Sequence, residues 1–140
     1  MREAYDLLIL GGGAAGSEAA FTVADGGRTR ILLVESHHFG GTCTNHGCVP
    51  TKALVKAARV AHAMRSATEF GFNPVEVSFD WDRIVARTHR VRDHMLRFGR
   101  KPFDEAGVEV AFPAEARLVG RQRVAVDGRE VECRAVLLAT

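Results

Sequence analysis

The sequence is poor in the features that mark membrane proteins, nucleic-acid-binding proteins and disulfide-stabilised secreted domains. Its 19 Lys and Arg nearly balance 17 Asp and Glu, and a net charge of +2 is too small to indicate binding to nucleic acid or to an anionic membrane. The first apolar run covers only residues 7–10, which is too short for a signal peptide or a membrane span. With only three cysteines in 140 residues, the chain is predicted to be a cytoplasmic protein with one compact core.

Glycines follow this short apolar run as Gly11, Gly13 and Gly16, which satisfies G-x-G-x-x-G. The pattern alone is weak, but a predicted buried strand precedes it, a predicted helix follows it, and a second buried strand ends at Glu35. Gly11 is predicted to make the tight turn, Gly13 to let the backbone approach a pyrophosphate, and Gly16 to let helix and strand pack closely. Glu35 is predicted to accept hydrogen bonds from an unphosphorylated adenosine ribose, such as that of FAD or NAD.

Two of the three cysteines lie five positions apart in the segment GGTCTNHGCVPTK, residues 40–52, with His46 between them. A zinc site usually needs a second ligand pair downstream, and the sequence offers none, so a zinc-binding domain is a remote alternative. Stable structural disulfides are rare in the cytoplasm, and a reversible disulfide between Cys43 and Cys48 therefore fits better. Cys133 has no partner and is predicted to be a buried structural thiol.

The spacing of the pair also predicts its local backbone. Five residues of regular helix rise about 7.5 Å, which exceeds the Cα separation of roughly 4.4–6.8 Å that a disulfide tolerates. The cysteines can therefore bridge only in locally distorted backbone, which Gly47 permits. Pro50 suits the first turn of a helix that follows, so the pair is predicted at a helix N-terminus, where the dipole lowers the pKa of a thiol.

The predicted strand, glycine turn, helix and second strand of residues 7–35, taken together with residues 40–52, resemble the class I pyridine nucleotide–disulfide oxidoreductases. This is the family of dihydrolipoamide dehydrogenase, glutathione reductase and mercuric reductase. The resemblance extends from Tyr5 to Thr140. It implies that electrons pass from NAD(P)H through FAD to a Cys43–Cys48 disulfide, and then to a disulfide or mercuric-ion substrate. Cys48 would be the catalytic thiol beside the flavin, and Cys43 the catalytic thiol that meets substrate. The residues implied to bind FAD are Gly11, Gly13, Ala14, Ala15, Gly16, Glu35, Gly41, Thr42, Cys48, Lys52, Ala116 and Thr140.

Two positions depart from the commonest family pattern, since Thr44 and His46 stand where aliphatic residues are usual. The departures leave the disulfide chemistry intact but weaken assignment to any one member. His46 is interpreted mainly as a solvent-facing side chain, and alternatively as one that tunes the thiolate or touches substrate.

The rest of the sequence completes an α/β fold class: a Rossmann-like FAD-binding domain with a parallel sheet and a small antiparallel β-meander, incomplete. Residues 79–107 are predicted to be mostly helical, with Trp81 and Met95 buried, and a hairpin is predicted at Asp127-Gly128 before a buried strand over residues 135–139.

The resemblance also makes expectations about the whole protein. Residues 1–140 would be the N-terminal part of the FAD-binding domain, with the NAD(P)-binding and C-terminal dimerisation domains absent. The complete enzyme would be a homodimer that acts on a small-molecule or protein-bound disulfide, with no nucleic-acid or membrane partner. The alternative is an isolated FAD- or nucleotide-binding module without turnover.

Overall fold

The computed structural model describes residues 4–140, apart from the side chain of Phe98. The strands are β1 (Ala4–Leu10), β2 (Ile31–Val34), β3 (Val108–Ala111), β4 (Ala116–Gly120), β5 (Arg123–Val126) and β6 (Arg129–Leu138). The helices are α1 (Ala14–Val23), α2 (Gly41–Asn45), α3 (Cys48–Arg65), α4 (Trp81–Phe98) and α5 (Lys101–Ala106), and a 3₁₀ turn (Ala67–Phe70) follows α3. Within this part of the chain, no helix has the length and apolar character needed to cross a membrane.

The six strands found within residues 4–140 form one mixed sheet in the order β3-β2-β1-β6-β5-β4. Strands β3, β2, β1 and the second half of β6 run parallel, whereas β4, β5 and the first half of β6 form an antiparallel meander. This is the α/β fold that the sequence predicts. The predicted hairpin is also confirmed, because Asp127 and Gly128 both have positive φ, as a two-residue turn between the paired Val126 and Arg129 favours.

The central strands β1 and β2 are buried on both faces, which explains why they read as unbroken apolar runs. Their alternate side chains form two core layers, one against the meander and the other against α1 and α5. The first layer includes Leu8, Leu10, Leu32, Val34, Val124, Val126 and Val131, and the second includes Ile9, Ala20, Ile31, Leu33, Phe39 and Phe103. The carboxyl ends of the parallel strands therefore share one rigid edge, from which the loops carrying the sequence motifs emerge.

Two predicted burial patterns are wrong. Trp81 and Met95 of α4 are 58% and 51% exposed, because α4 packs mainly against α2 and α3 and leaves its other sides open. The segment 135–139 is not a buried strand, and Leu138 is 61% exposed. Beyond Glu132, β6 pairs with β1 alone among the described strands, so its outer edge stays uncovered.

The turn between β1 and α1 depends on two glycines that leave no room for a side chain. Gly11 has a φ of +109° and lies against the backbone of Ala139. A Cβ on Gly16 would overlap the carbonyl oxygen of Gly11 and lie 3.2 Å from Ile9 Cγ2. The first turn of α1 therefore packs directly onto the end of β1, in agreement with the turn and the close packing predicted for these glycines.

The substitution Gly16→Ala is expected to lower the free energy of unfolding by about 1–3 kcal/mol, because the added methyl group must displace the backbone of Gly11. Urea denaturation measures this difference. The control is Gly120→Ala, since the nearest atom to its new Cβ belongs to the Arg123 side chain, which can move. That control should change stability by less than about 0.5 kcal/mol. Equal losses for both variants would contradict the close packing at Gly16.

Candidate functional site

The N-terminus of α1 opens onto the carboxyl edge of the sheet with its backbone amides available. Gly13 is the N-cap and makes no side-chain capping bond, and the first turn of α1 has no acidic residue. The N–H groups of Ala14, Ala15 and Gly16 consequently have no acceptor within the helix. These amides and the helix dipole together can bind an anion such as a phosphate group.

The cysteine-bearing segment lies directly against this helix terminus. Gly40 N donates a hydrogen bond to Gly12 O at 2.8 Å, and a Cβ on Gly41 would come within 2.7 Å of Gly13 Cα. Gly40 and Gly41 have φ values of +86° and +62°, in the left-handed region that favours glycine. Two motifs that are separate in sequence therefore meet in one site through backbone contact.

The carboxylate of Glu35 holds the loops of this site together. Its Oε2 accepts a hydrogen bond from Gly12 N at 2.8 Å, and its Oε1 accepts from His37 N at 2.7 Å and His38 N at 3.1 Å. Burial raises the pKa of Glu35, but the backbone hydrogen bonds outweigh burial and hold the pKa below its ordinary value. Glu35 is thus an ionised brace between the glycine turn and the loop after β2, a role that the sequence analysis did not foresee.

Two other residues singled out from the sequence lie at the same edge of the sheet. Ala114 N donates to Glu35 O at 2.9 Å, so Ala116, two residues further on, begins β4 beside the Glu35 loop. On the other side, Thr140 N lies 3.0 Å from the position that a Cβ on Gly11 would take. The structure therefore brings Thr140 to the glycine turn, and the segment before Ala116 to the backbone of Glu35.

The backbone is broken between the two cysteines, as the helix-rise argument requires. α2 ends and α3 begins on either side of His46 and Gly47, whose N–H groups both donate to Thr42 O, at 2.9 Å and 2.7 Å. Gly47 has φ −114° and ψ −104°, outside the helical region, and its Cβ position would be 3.6 Å from Cys43 Cα. Gly47 thus lets the start of α3 close onto α2, and Pro50 occupies the first turn of α3 as predicted.

Both cysteines of the pair are free thiols, with Cys43 half-buried and Cys48 exposed. Hydrogen bonding with the Cys48 side chain, together with burial, raises the pKa of the Cys43 thiol, while the Lys52 ammonium acts in the opposite direction. The lowered pKa predicted from the helix dipole is therefore wrong for Cys43, because the neighbouring thiol has the larger effect. Cys43 holds its proton more tightly than an isolated cysteine does.

Asn45 is a residue of the site that the sequence analysis missed. Its Nδ2 donates hydrogen bonds to Phe39 O at 3.0 Å and to Gly41 O at 2.9 Å, which uses both amide hydrogens. These bonds close the glycine loop onto α2 and keep Gly41 against Gly13. The available signal was an amide side chain placed between the two cysteines, one turn after the glycine pair.

Histidines gather beside the cysteine segment. The rings of His38 and His46 meet edge-on with their centroids 5.0 Å apart, and His37 Nδ1 lies 2.7 Å from Ser36 Oγ. His46 is exposed, which agrees with its interpretation as a solvent-facing side chain. Across residues 4–140, no three or more His, Cys, Asp or Glu side chains are grouped so that they could hold a metal ion.

Comparison with known proteins finds relatives along almost the whole chain. The family model for the pyridine nucleotide-disulphide oxidoreductases matches residues 5–140. Dihydrolipoyl dehydrogenase from Zymomonas mobilis is 34% identical, that from Acholeplasma laidlawii 33%, and glutathione reductase from Burkholderia cepacia 32%. These alignments cover 100%, 100% and 97% of this chain but 31%, 41% and 30% of the respective relatives. The chain therefore spans well under half the length of the curated relatives it matches.

The substitution Glu35→Gln is expected to destabilise the fold by about 1–3 kcal/mol at neutral pH, because a neutral amide cannot accept all three backbone hydrogen bonds. The folded-state pKa of Glu35 is lowered, so its contribution is complete above the ordinary pKa of 4.5 and is lost as the pH falls through the folded-state pKa. Urea unfolding at several pH values should show that the difference in the free energy of unfolding between wild type and Glu35→Gln becomes smaller in acid. The control Glu76→Gln, on an exposed segment, should leave the free energy of unfolding unchanged. A destabilisation by Glu35→Gln that does not depend on pH would contradict the role given to the Glu35 charge.

The substitution Cys48→Ala is expected to lower the pKa of the Cys43 thiol, because it removes the hydrogen-bonding neighbour that raises it. Lys52→Gln should raise the same pKa, since the ammonium group stabilises the thiolate. The rate of alkylation of reduced Cys43 by iodoacetamide, followed against pH and assigned by peptide mass spectrometry, measures both shifts. Lys56→Gln, one helical turn further along α3, serves as the control and should leave the profile unchanged. An unshifted profile in Cys48→Ala would refute the thiol pairing.

Proposed function

Because this chain belongs to the pyridine nucleotide-disulphide oxidoreductase family, we propose that it forms the FAD-binding, disulfide-bearing part of an oxidoreductase. In this proposal, FAD supplies the electron relay between NAD(P)H and the pair Cys43 and Cys48, which then reduces a disulfide substrate. The contact between Gly13 and Gly41 carries the proposal, since it joins an anion-binding helix terminus to a hydrogen-bonded thiol pair.

FAD and NAD(P)H are the cofactors of this family, and the described residues fit FAD. The uncapped amides of α1 suit a pyrophosphate, and the glycines let the loops around these amides meet through backbone rather than side chains. The residues proposed to hold the pyrophosphate are Gly11, Gly13, Ala14, Ala15 and Gly16, with Glu35 at the ribose and the backbone of Ala116 at the adenine. Those proposed to line the flavin are Gly41, Thr42, Cys48, Lys52 and Thr140.

The thiol pair performs the transfer to substrate by exchange. The Cys43 sulfur, after losing its proton, attacks one sulfur of the substrate disulfide, forms a mixed disulfide and expels the first substrate thiolate. The Cys48 sulfur then attacks Cys43, which forms the Cys43–Cys48 disulfide and releases the second substrate thiolate. The two protons of the dithiol end on the two product thiols. Loss of the Cys43 proton is made harder by the raised pKa of that thiol. Lys52 assists this step, because its ammonium group favours the thiolate.

The named relatives favour a disulfide over a mercuric ion as substrate, because their names refer to dihydrolipoyl groups and to glutathione. The chain spans well under half the length of these relatives, so we place the NAD(P)-binding region and a homodimer interface in the remainder of a longer protein.

The absorbance of the FAD-loaded protein tests the assigned order of the cysteines. In the wild type, two-electron reduction should open the Cys43–Cys48 disulfide and produce a long-wavelength band from a thiolate against the oxidised flavin. Neither single-cysteine variant has a disulfide to accept those electrons, so both are measured without added reductant: Cys43→Ser should show the band, because the thiol proposed to face the flavin is still present, and Cys48→Ser should lack it. Cys133→Ser is the matched control, since that thiol is buried and bonded to Gln122 O. A band that survives in Cys48→Ser would show that the assignment is reversed.

A further inference from the structure

A cleft of about 320 Å³ lies between the start of α3 and residues 81–92 of α4, next to the cysteine segment. α4 contributes Trp81, Val85, His89 and Arg92, which are spaced to follow one side of the helix. His46 and Pro50 belong to the facing wall. The cleft is therefore built by two elements that pack together, rather than by a single exposed loop.

Groups that donate hydrogen bonds to anions converge on this cleft. His46 and His89 each carry an imidazole N–H, and Arg92 carries a guanidinium whose side chain is only 32% exposed. Arg92 Nε and Nη2 bond to Asp93 Oδ1 at 2.9 Å and 2.7 Å, and Nη1 has no hydrogen-bond partner among the described residues. Asp93 is not part of the lining, and none of the described residues that form the walls is acidic.

The cleft adjoins the cysteine that is proposed to meet substrate. His46 N donates to Thr42 O at 2.9 Å, so the backbone of His46 closes the last turn of α2, the short helix that carries Cys43. His46 itself has φ −132° and caps this helix, and Asn45, two residues after Cys43, also lines the cleft. A disulfide in contact with the Cys43 sulfur can therefore extend a substituent along His46 and into the cleft.

We propose that this cleft binds a carboxylate group of the disulfide substrate, with His46, His89 and Arg92 as its ligands. The inference rests on the proposed function, because it concerns the molecule that Cys43 attacks. It also gives His46 a role: this residue, which departs from the usual family pattern, forms part of the cleft wall beside the cysteine segment. Trp81 and Pro50 add apolar surface to the walls beside these donors.

The charge selectivity of thiol–disulfide exchange tests this proposal without any cofactor. The reduced chain carrying Cys48→Ser, which leaves Cys43 as the reactive thiol of the pair, is mixed with dithiobis(nitrobenzoate), an anionic disulfide, or with dithiodipyridine, an uncharged one. In each reaction the Cys43 thiolate forms a mixed disulfide and expels one aromatic thiolate, whose absorbance gives the rate. The quantity compared is the rate with the anionic disulfide divided by the rate with the uncharged disulfide.

His89→Gln and Arg92→Gln are each expected to lower this ratio by roughly three- to tenfold, as expected for one partly exposed charge-assisted hydrogen bond. Arg92→Lys should restore part of the ratio, because it keeps the charge but loses the planar donor group. Arg83→Gln is the matched control. It removes the same charge from α4 at a position nine residues from Arg92, which is two and a half helical turns away and on the opposite side.

Each outcome decides the matter. If Arg83→Gln lowers the ratio as much as Arg92→Gln does, carboxylate binding in the cleft is ruled out, because the effect would then come from the overall charge of the protein. A ratio unchanged in His89→Gln and Arg92→Gln also overturns it, yet leaves the proposed exchange at Cys43 standing. A Cys43 thiol that reacts with neither probe overturns the proposed function and the cleft together. Thermal unfolding of each variant establishes that the comparison is made between folded proteins.

Discussion

The arrangement of this site depends on the carboxylate of Glu35 and on the hydrogen bonds that it accepts from three backbone amides. Burying a charge is costly, and the cost is offset here because each Glu35 oxygen receives hydrogen bonds from main-chain donors with fixed positions. The bonded amides belong to the glycine turn after β1 and to the loop after β2, two segments that would otherwise be independent. The backbone of Glu35 adds a third connection, to Ala114 and hence to the start of the meander. A residue that the sequence suggests for ligand contact is therefore also the brace that gives the ligand site its shape.

Around this brace, the site is made of backbone more than of side chains. The loop at Gly41 packs against the helix terminus at Gly13, and the turn at Gly11 packs against Ala139, both through main-chain atoms; a side chain on Gly41 or Gly11 would force these contacts apart. The chemically reactive groups then sit on the helical segment that this glycine contact positions. Asn45 provides the link between the two parts, since its side chain binds the loop carbonyls from within the cysteine segment itself. Geometry and reactivity are thus set by different residues within the same short stretch of sequence.

Much of this could be predicted from the sequence, for identifiable physical reasons. Residues 7–10 and 31–34 form unbroken apolar runs typical of strands buried on both faces, and Gly16 lies where the helix and the strand are in contact. The distortion between Cys43 and Cys48 followed from helix dimensions alone. The failures have a different origin. The pKa of Cys43 depends on the position of another thiol, and the exposure of Trp81 and Leu138 depends on which neighbours are present, so neither can be obtained from local pattern. Asn45 was missed because its partners are backbone carbonyl groups, which every residue has, so its place between the cysteines does not by itself identify them.

The pairing of β1 with β6 has a consequence for how the molecule forms. Leu10, at the end of the first strand, pairs with Leu138, near the end of the last, and Ala139 N donates to Leu10 O. The glycine turn is thus completed by backbone that the ribosome makes more than a hundred residues after the turn itself. During synthesis the helix and the cysteine segment can form early from local contacts, but the glycine turn stays open until β6 is made. The glycine turn therefore acquires its last wall, the backbone of Ala139, only near the end of the synthesis of this segment.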